Sequence, residues 1–174
     1  NAGTVHGQAI DVRAVLVSIG PGDSLVFEDP STIGADDLSI LLFSEGTGAP
    51  AEVVIRWEIV LSGSTIPATG NIDFTIADID GIGGNPFTRE SVAPSLNGLT
   101  SYGGDNPTNI QFSSSGGVLH AAGTQNQNGE RTSAATFGWV NVSSWEITYS
   151  LAGNTVTSGA RYTHDGDGDF TFNN

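Results

Sequence analysis

The stretch Asp165-Gly166-Asp167-Gly168-Asp169 sets three carboxylates at i, i+2 and i+4 with only glycine between them. Like charges held this close repel one another unless a cation neutralises them. Hard oxygen ligands at this spacing suit Ca²⁺, and the glycines let the backbone bend so that carbonyl oxygens can join the carboxylates. Asp and Gly are also the commonest turn formers, so a solvated turn is the competing reading. Three aspartates are one more than a turn needs, and the run is read as a metal loop with Asp165, Asp167 and Asp169 as ligands.

A second acidic cluster, Asp78-Ile79-Asp80-Gly81, is followed by a glycine-rich stretch and then by Glu90. Asp78 and Asp80 are expected to close an alternating strand and to point the same way. Glu90 lies beyond a connection long enough to fold back, and a carboxylate pair plus a distant Glu is one way to assemble a Ca²⁺ site. An ordinary turn is again the alternative. Neither cluster is an EF-hand: counted from Asp78, position 12 is Arg89, and counted from Asp165, position 6 is Phe170. Nothing repeats, so the glycine-rich β-roll nonapeptide is excluded too. Asp36-Asp37 is a third acidic pair, read as a solvated loop because adjacent side chains on a strand face opposite ways.

The run Thr124-Gln125-Asn126-Gln127-Asn128-Gly129-Glu130-Arg131 is rich in amides, which offer donors and acceptors without charge. That suits recognition of a sugar or a peptide backbone, although amides are equally common in plain β-loops. Signals for catalysis are poor. No Gly-x-Ser-x-Gly or His-Glu-x-x-His occurs. His6, His120 and His164 have no metal-ligand spacing; His120 reads as a structural strand residue and His164, beside the Asp run, as a neutral surface imidazole. Glu58 and Glu146 each alternate with apolar residues and read as the solvent face of a strand rather than a glycosidase pair. No catalytic residue is expected.

The elements that must position these groups are strands. In residues 52–61, Val53, Ile55, Trp57 and Ile59 share one face, and in 144–150 Trp145, Ile147 and Tyr149 do. Ile72, Phe74 and Ile76 do the same in 71–77. Further strands are predicted at 8–18, 24–28, 38–43, 109–113, 117–122, 132–140, 154–163 and 169–172, with a helical turn conceivable only in Pro86–Pro94. Roughly ten to twelve short strands between Gly, Ser, Asn and Pro turns predict an all-β, antiparallel, jelly-roll-like β-sandwich. All three tryptophans fall in strand patterns and read as core.

Residues 1–174 form one domain on length alone, and Asn1 in place of Met suggests a piece excised from a longer protein. No apolar run approaches the ~20 residues that span a bilayer. Asp and Glu number 19 against five Arg and no Lys, a formal charge of −14. A nucleic-acid or anionic-membrane partner needs the opposite balance and is excluded. Absent cysteine removes disulfides, a thiol nucleophile and Cys-based zinc. With no Met, no Lys and 24 Gly, the composition reads as a bacterial extracellular module.

Taken together, Ile76 to Gly81, Arg89-Glu90, Gly123 to Asn126 and Arg161 to Phe170 give the chain a resemblance. It resembles the peptide-binding domains near the C-terminal end of giant repeats-in-toxin (RTX) adhesins of bacteria. The resemblance implies a Ca²⁺-dependent β-sandwich in which a bound ion with an open position takes carboxylate or hydroxyl oxygens of a ligand. It implies Asp165, Asp167 and Asp169 at the ligand-site ion and Asp78, Asp80 and Glu90 at a structural Ca²⁺. Gln125, Asn126, Asn128 and His164 are candidate ligand contacts. The implied partner is a peptide or protein C-terminus on another cell surface, bound by a monomeric domain within a long multidomain chain on the bacterial exterior. Two alternatives stand beside it: a calcium-dependent carbohydrate-binding module, and a purely structural spacer stiffened by Ca²⁺.

Overall fold

Along Ala51–Leu61 every second side chain is buried, with Val53, Ile55, Trp57 and Ile59 at most 1% exposed. The alternation that β-branched and aromatic residues impose on an extended chain is therefore the alternation that builds the core. The structure is a computed structural model and describes residues 3–28, 37–46, 48–81, 89–104, 108–125, 133–152, 158–165 and 170–173. In chain order the strands are β1 (Gly3–Val5), β2 (Gln8–Ile19), β3 (Ser24–Glu28), β4 (Asp37–Ser44), β5 (Ala51–Leu61), β6 (Gly70–Ile76) and β7 (Glu90–Pro94). They continue as β8 (Leu99–Gly104), β9 (Ile110–Ser115), β10 (Val118–Gly123), β11 (Ala135–Val142), β12 (Ser144–Leu151), β13 (Ser158–Asp165) and β14 (Phe170–Asn173). Among the described residues every strand pairing is antiparallel.

Three sheets result: a seven-stranded one in the order β1-β2-β5-β12-β7-β10-β9, a four-stranded one, β14-β6-β11-β8, and a three-stranded one, β13-β4-β3. Register sets Trp145 opposite Trp57 and Ile147 opposite Ile55 on the wide sheet. On the four-stranded sheet it sets Phe137 opposite Phe74. The inward rings then cross between sheets. Phe74 lies 5.0 Å from Trp57 and 5.4 Å from Trp145, and Trp139 lies 5.7 Å from Trp145. Tyr162 of β13 packs edge-on at 5.1 Å against Tyr149 of β12, bringing the three-stranded sheet onto the same core. The layering is sandwich-like, and the three tryptophans are core as expected.

Polar groups inside this core are tied together. Trp57 Nε1 donates to the Tyr149 hydroxyl at 3.2 Å, and that hydroxyl lies 2.9 Å from His164 Nε2. Trp57 can only donate, so the Tyr149 oxygen accepts from it, and the direction of the Tyr149–His164 bond follows the imidazole tautomer. His164 is fully buried among the rings of Trp57, Phe74 and Tyr149. The surface imidazole expected from its place beside the Asp run is thus corrected: Ala160, Tyr162 and His164 form the inward face of β13.

Three strands were not expected, namely β1, β7 and β8. In place of the helical turn conceivable in Pro86–Pro94, Glu90–Pro94 is a strand between β12 and β10. No α-helix occurs among the described residues. Glu58 lies on the outer side of β5, where its Oε1 accepts from Arg56 Nε at 2.8 Å. Glu146 sits opposite Arg56 on β12.

Candidate functional site

β6 stops at Ile76, and Asp78 turns the chain with a left-handed backbone, φ 63°. Few residues besides glycine adopt that conformation, with Asp and Asn the usual exceptions. Asp78 and Asp80 thus lie beyond the strand rather than closing it. Ile79 follows, fully buried, its N–H donating to Ser133 O at 3.0 Å. Asp80 is then bound twice to the first residue of β7. Its N–H donates to Glu90 Oε2 at 2.9 Å, and its carbonyl accepts the Glu90 N–H at 2.8 Å.

The next contact joins this segment to the start of the amide run, since Gly81 N–H donates to Gln125 O at 2.9 Å. Gly81 and Gly123 cross at a distance that excludes side chains. A Cβ on Gly81 would lie 2.2 Å from Gly123 O, and one on Gly123 would lie 2.3 Å from Ile79 O. Arg89 closes the arrangement from above, its Nε donating to Gly123 O at 3.2 Å and its Nη2 to Gln111 Oε1 at 3.1 Å. Thr124 anchors the strand end through its N–H and hydroxyl, both donating to Asn109 O. Two stretches 40-odd residues apart, Asp78–Gly81 and Gly123–Gln125, thus become one surface.

Electrostatically the site turns on Glu90, which is only 8% exposed. Burial pushes its carboxyl up to about 9; the Asp80 N–H opposes this, and the Asp80 and Asp78 carboxylates push it further up. Burial likewise holds the Tyr162 hydroxyl well above its usual range, with the charge of Glu90 adding to the effect. That hydroxyl donates to Ser150 O at 2.6 Å. Ser133 is fully buried, and its Oγ has no hydrogen-bond partner among the described residues. The carboxylates here offer oxygen ligands, the kind a hard cation takes. Among the described residues, however, no three His, Cys, Asp or Glu side chains are grouped as a metal ion would need. Asp78, Asp80 and Glu90 are electrostatic neighbours without forming a closed cage.

Asp165 is the last residue of β13, opposite Asp37 of β4. Its side chain, and all of Asp167, Asp169, Asn126 and Asn128, lie outside the described residues. The flanks of the run are described and are informative. Phe170, the first residue of β14, pairs with Phe74, in the half of β6 that leads to Asp78. The flanks therefore belong to the three-stranded sheet on one side, through β13, and to the four-stranded sheet on the other, through β14, which begins beside the half of β6 that leads to the second acidic cluster. Gln125 is exposed at that second cluster, whereas His164 is in the core. Arg89 and Tyr162 were missed by sequence reasoning. Arg89 had a signal in its adjacency to Glu90; Tyr162 had none, because only the fold brings its hydroxyl near Glu90.

No protein-family model matches the chain, and no curated protein matches it. Among solved structures it is similar to the crystal structure of the N-terminal domain of the Streptococcus gordonii adhesin Sgo0707, with a TM-score of 0.60 over 94% of this chain. Identity is 12%, so the likeness is one of fold. This chain spans 46% of the length of that one.

Proposed function

We propose that the chain is a calcium-dependent ligand-binding module of a bacterial surface adhesin, a binder rather than an enzyme. Its antiparallel, sandwich-like fold is that of a domain from a streptococcal adhesin. The observation that carries the reading is the gathering of acidic and amide groups at one end of the sheets. Asp80 and Glu90 are hydrogen-bonded to each other there, and the Gly81 N–H beside them donates to the Gln125 carbonyl. β14, which follows the Asp165–Asp169 run, begins along the half of β6 that leads to them. A protein of charge −14 repels a carboxylate ligand, so a cation must reverse the local sign before one can be held.

In this reading Asp165, Asp167 and Asp169 hold the ion that faces the ligand. Asp78, Asp80 and Glu90, which are not grouped as an ion needs in this structure, would have to draw together to hold a second, structural one. Ca²⁺, when bound, supplies the positive charge and free coordination positions that carboxylate or hydroxyl oxygens require. The chain's own part is to fix these carboxylates on strand ends and to offer amides such as Gln125 to neighbouring groups of the ligand. A peptide C-terminus is the ligand class proposed, in the manner of the RTX adhesin domains that the sequence resembles.

The test is a panel of short peptides with free C-termini, the same peptides amidated, and an array of glycans, each with calcium and with excess chelator. Free-carboxylate peptides are expected to bind in calcium alone. Glycan binding instead would make this a carbohydrate module, and no binding to either would favour the spacer.

A further inference from the structure

β2 pairs with β5 along Ile10 to Ile19 on one side, but on its other side β1 covers only Gln8 to Ile10. Among the described residues, no strand lies against the outer edge from Val12 to Ile19. Natural edges of this length are blunted by charge, proline or distortion, because their unpaired N–H and C=O groups template another chain. Here the defences are thin. Val12–Ile19 contains no proline and a single charge, Arg13, whose Nη2 is turned back onto Ser64 O. The one distortion is a register shift between Leu16 and Ser18.

The same edge is apolar, with Leu16 49%, Val17 46% and Ile19 37% exposed. A tight turn, in which Asp23 N–H donates to Gly20 O, leads into β3, the outer strand of the three-stranded sheet. There Val26 is 47% and Phe27 43% exposed. Two consecutive outer strands thus carry five of the large exposed apolar side chains of the molecule. Single exposed apolar residues need no explanation, but a group of them along an open edge does.

We propose that the Val12–Ile19 edge of β2 is a docking edge for an extended segment of a separate polypeptide, in which apolar residues alternate with Lys or Arg. Only an extended strand can satisfy the open row of backbone groups, and it would lie in the line that β1 begins. Apolar side chains on it would cover Leu16, Val17 and Ile19. The cationic character follows from charge. The chain carries −14 with no Lys, so a second copy or an acidic strand meets repulsion, whereas a basic strand is attracted. The edge is separate from the acidic site: β5 and β12 stand between β2 and β7 in the wide sheet, a span of three inter-strand steps, about 14 Å.

The experiment uses the whole chain and fluorescently labelled peptides about ten residues long, read by anisotropy in excess chelator so that the calcium reading is not involved. One peptide alternates Val with Lys, a second alternates Val with Glu, and a third is the Val/Lys peptide methylated on alternate backbone nitrogens. The Val/Lys peptide is expected to bind, more weakly as salt rises, with at least about tenfold loss for the methylated form. Val17→Lys and Ile19→Lys, at exposed positions that leave the core intact, are expected to weaken it similarly. Equal binding of the methylated peptide would mean that charge alone attracts it and would overturn the proposal. So would equal binding of the Val/Glu peptide, no binding at all, or sedimentation showing a dimer of this chain that Val17→Lys dissociates.

Discussion

Glu90 occupies an inward position of β7, opposite Leu151 of β12, where alternation would ordinarily place an apolar side chain. Its carboxyl titrates near 9 instead of at its ordinary 4.5, with burial as the main cause. The consequence for stability has a definite sign. Below pH 4.5 the group is neutral in both states; between 4.5 and about 9 the unfolded chain loses the proton and the folded chain keeps it. Stability from this residue therefore falls as pH rises through that window, by something on the order of 1 kcal/mol per pH unit. Asp11 moves the opposite way, held down first by the Gly63 N–H and then by Ser62, but it acts only below its ordinary 3.8 and does not overlap. Glu90→Gln keeps the shape without the titration. In chelator, the fall in melting temperature from pH 5 to pH 8 should be clearly smaller in this variant than in the parent chain. An unchanged fall would mean that Glu90 is not the buried acid described.

At the level of elements, what could be read and what could not follow from side-chain chemistry. β5, β6 and β12 were legible because Trp, Ile, Phe and Val alternate with polar residues through their full length. β7 alternates just as cleanly in burial, but one of its inward residues is Glu90 and another is Pro94, so its period is disguised by a carboxylate and an imino acid. β8, Leu-Thr-Ser-Tyr-Gly-Gly, is a largely exposed edge strand with little apolar content to betray it. His164 was misplaced for a related reason, since its neighbour Asp165 suggested solvent while its period with Ala160 and Tyr162 pointed inward. The partnership of Asp80 with Glu90 was foreseeable from a foldable connection. The crossing of Gly81 over Gly123 was not, because it depends on two chain segments meeting in space. That crossing makes a sharp prediction. Gly123→Ala sets a methyl group 2.3 Å from Ile79 O and should cost about 1–3 kcal/mol in urea unfolding. Gly103→Ala, on β8 with nothing within 4 Å of the added Cβ, should be close to neutral. Equal effects from the two would remove the close crossing from the account.

For the molecule as a whole, two features stand together: an apolar core that fills the space between three antiparallel sheets, and a surface charge of −14 with no Lys to balance it. The core holds without a disulfide, since the chain contains no cysteine. The charge raises the free energy of the compact state through self-repulsion, and divalent cations at its acidic end would relieve it. The sequence made the class of fold and the acidic positions legible. The ligand was not legible, because recognition depends on how several connections meet rather than on any one motif. The central claim, that the acidic end takes Ca²⁺, is tested most directly by calorimetric titration of Ca²⁺ into chelator-stripped protein. The account predicts saturable binding, with the ligand-facing ion lost in the Asp165→Asn, Asp167→Asn, Asp169→Asn triple variant and the second lost in Glu90→Gln. Absence of saturable binding, or binding that both variants leave unchanged, would contradict it.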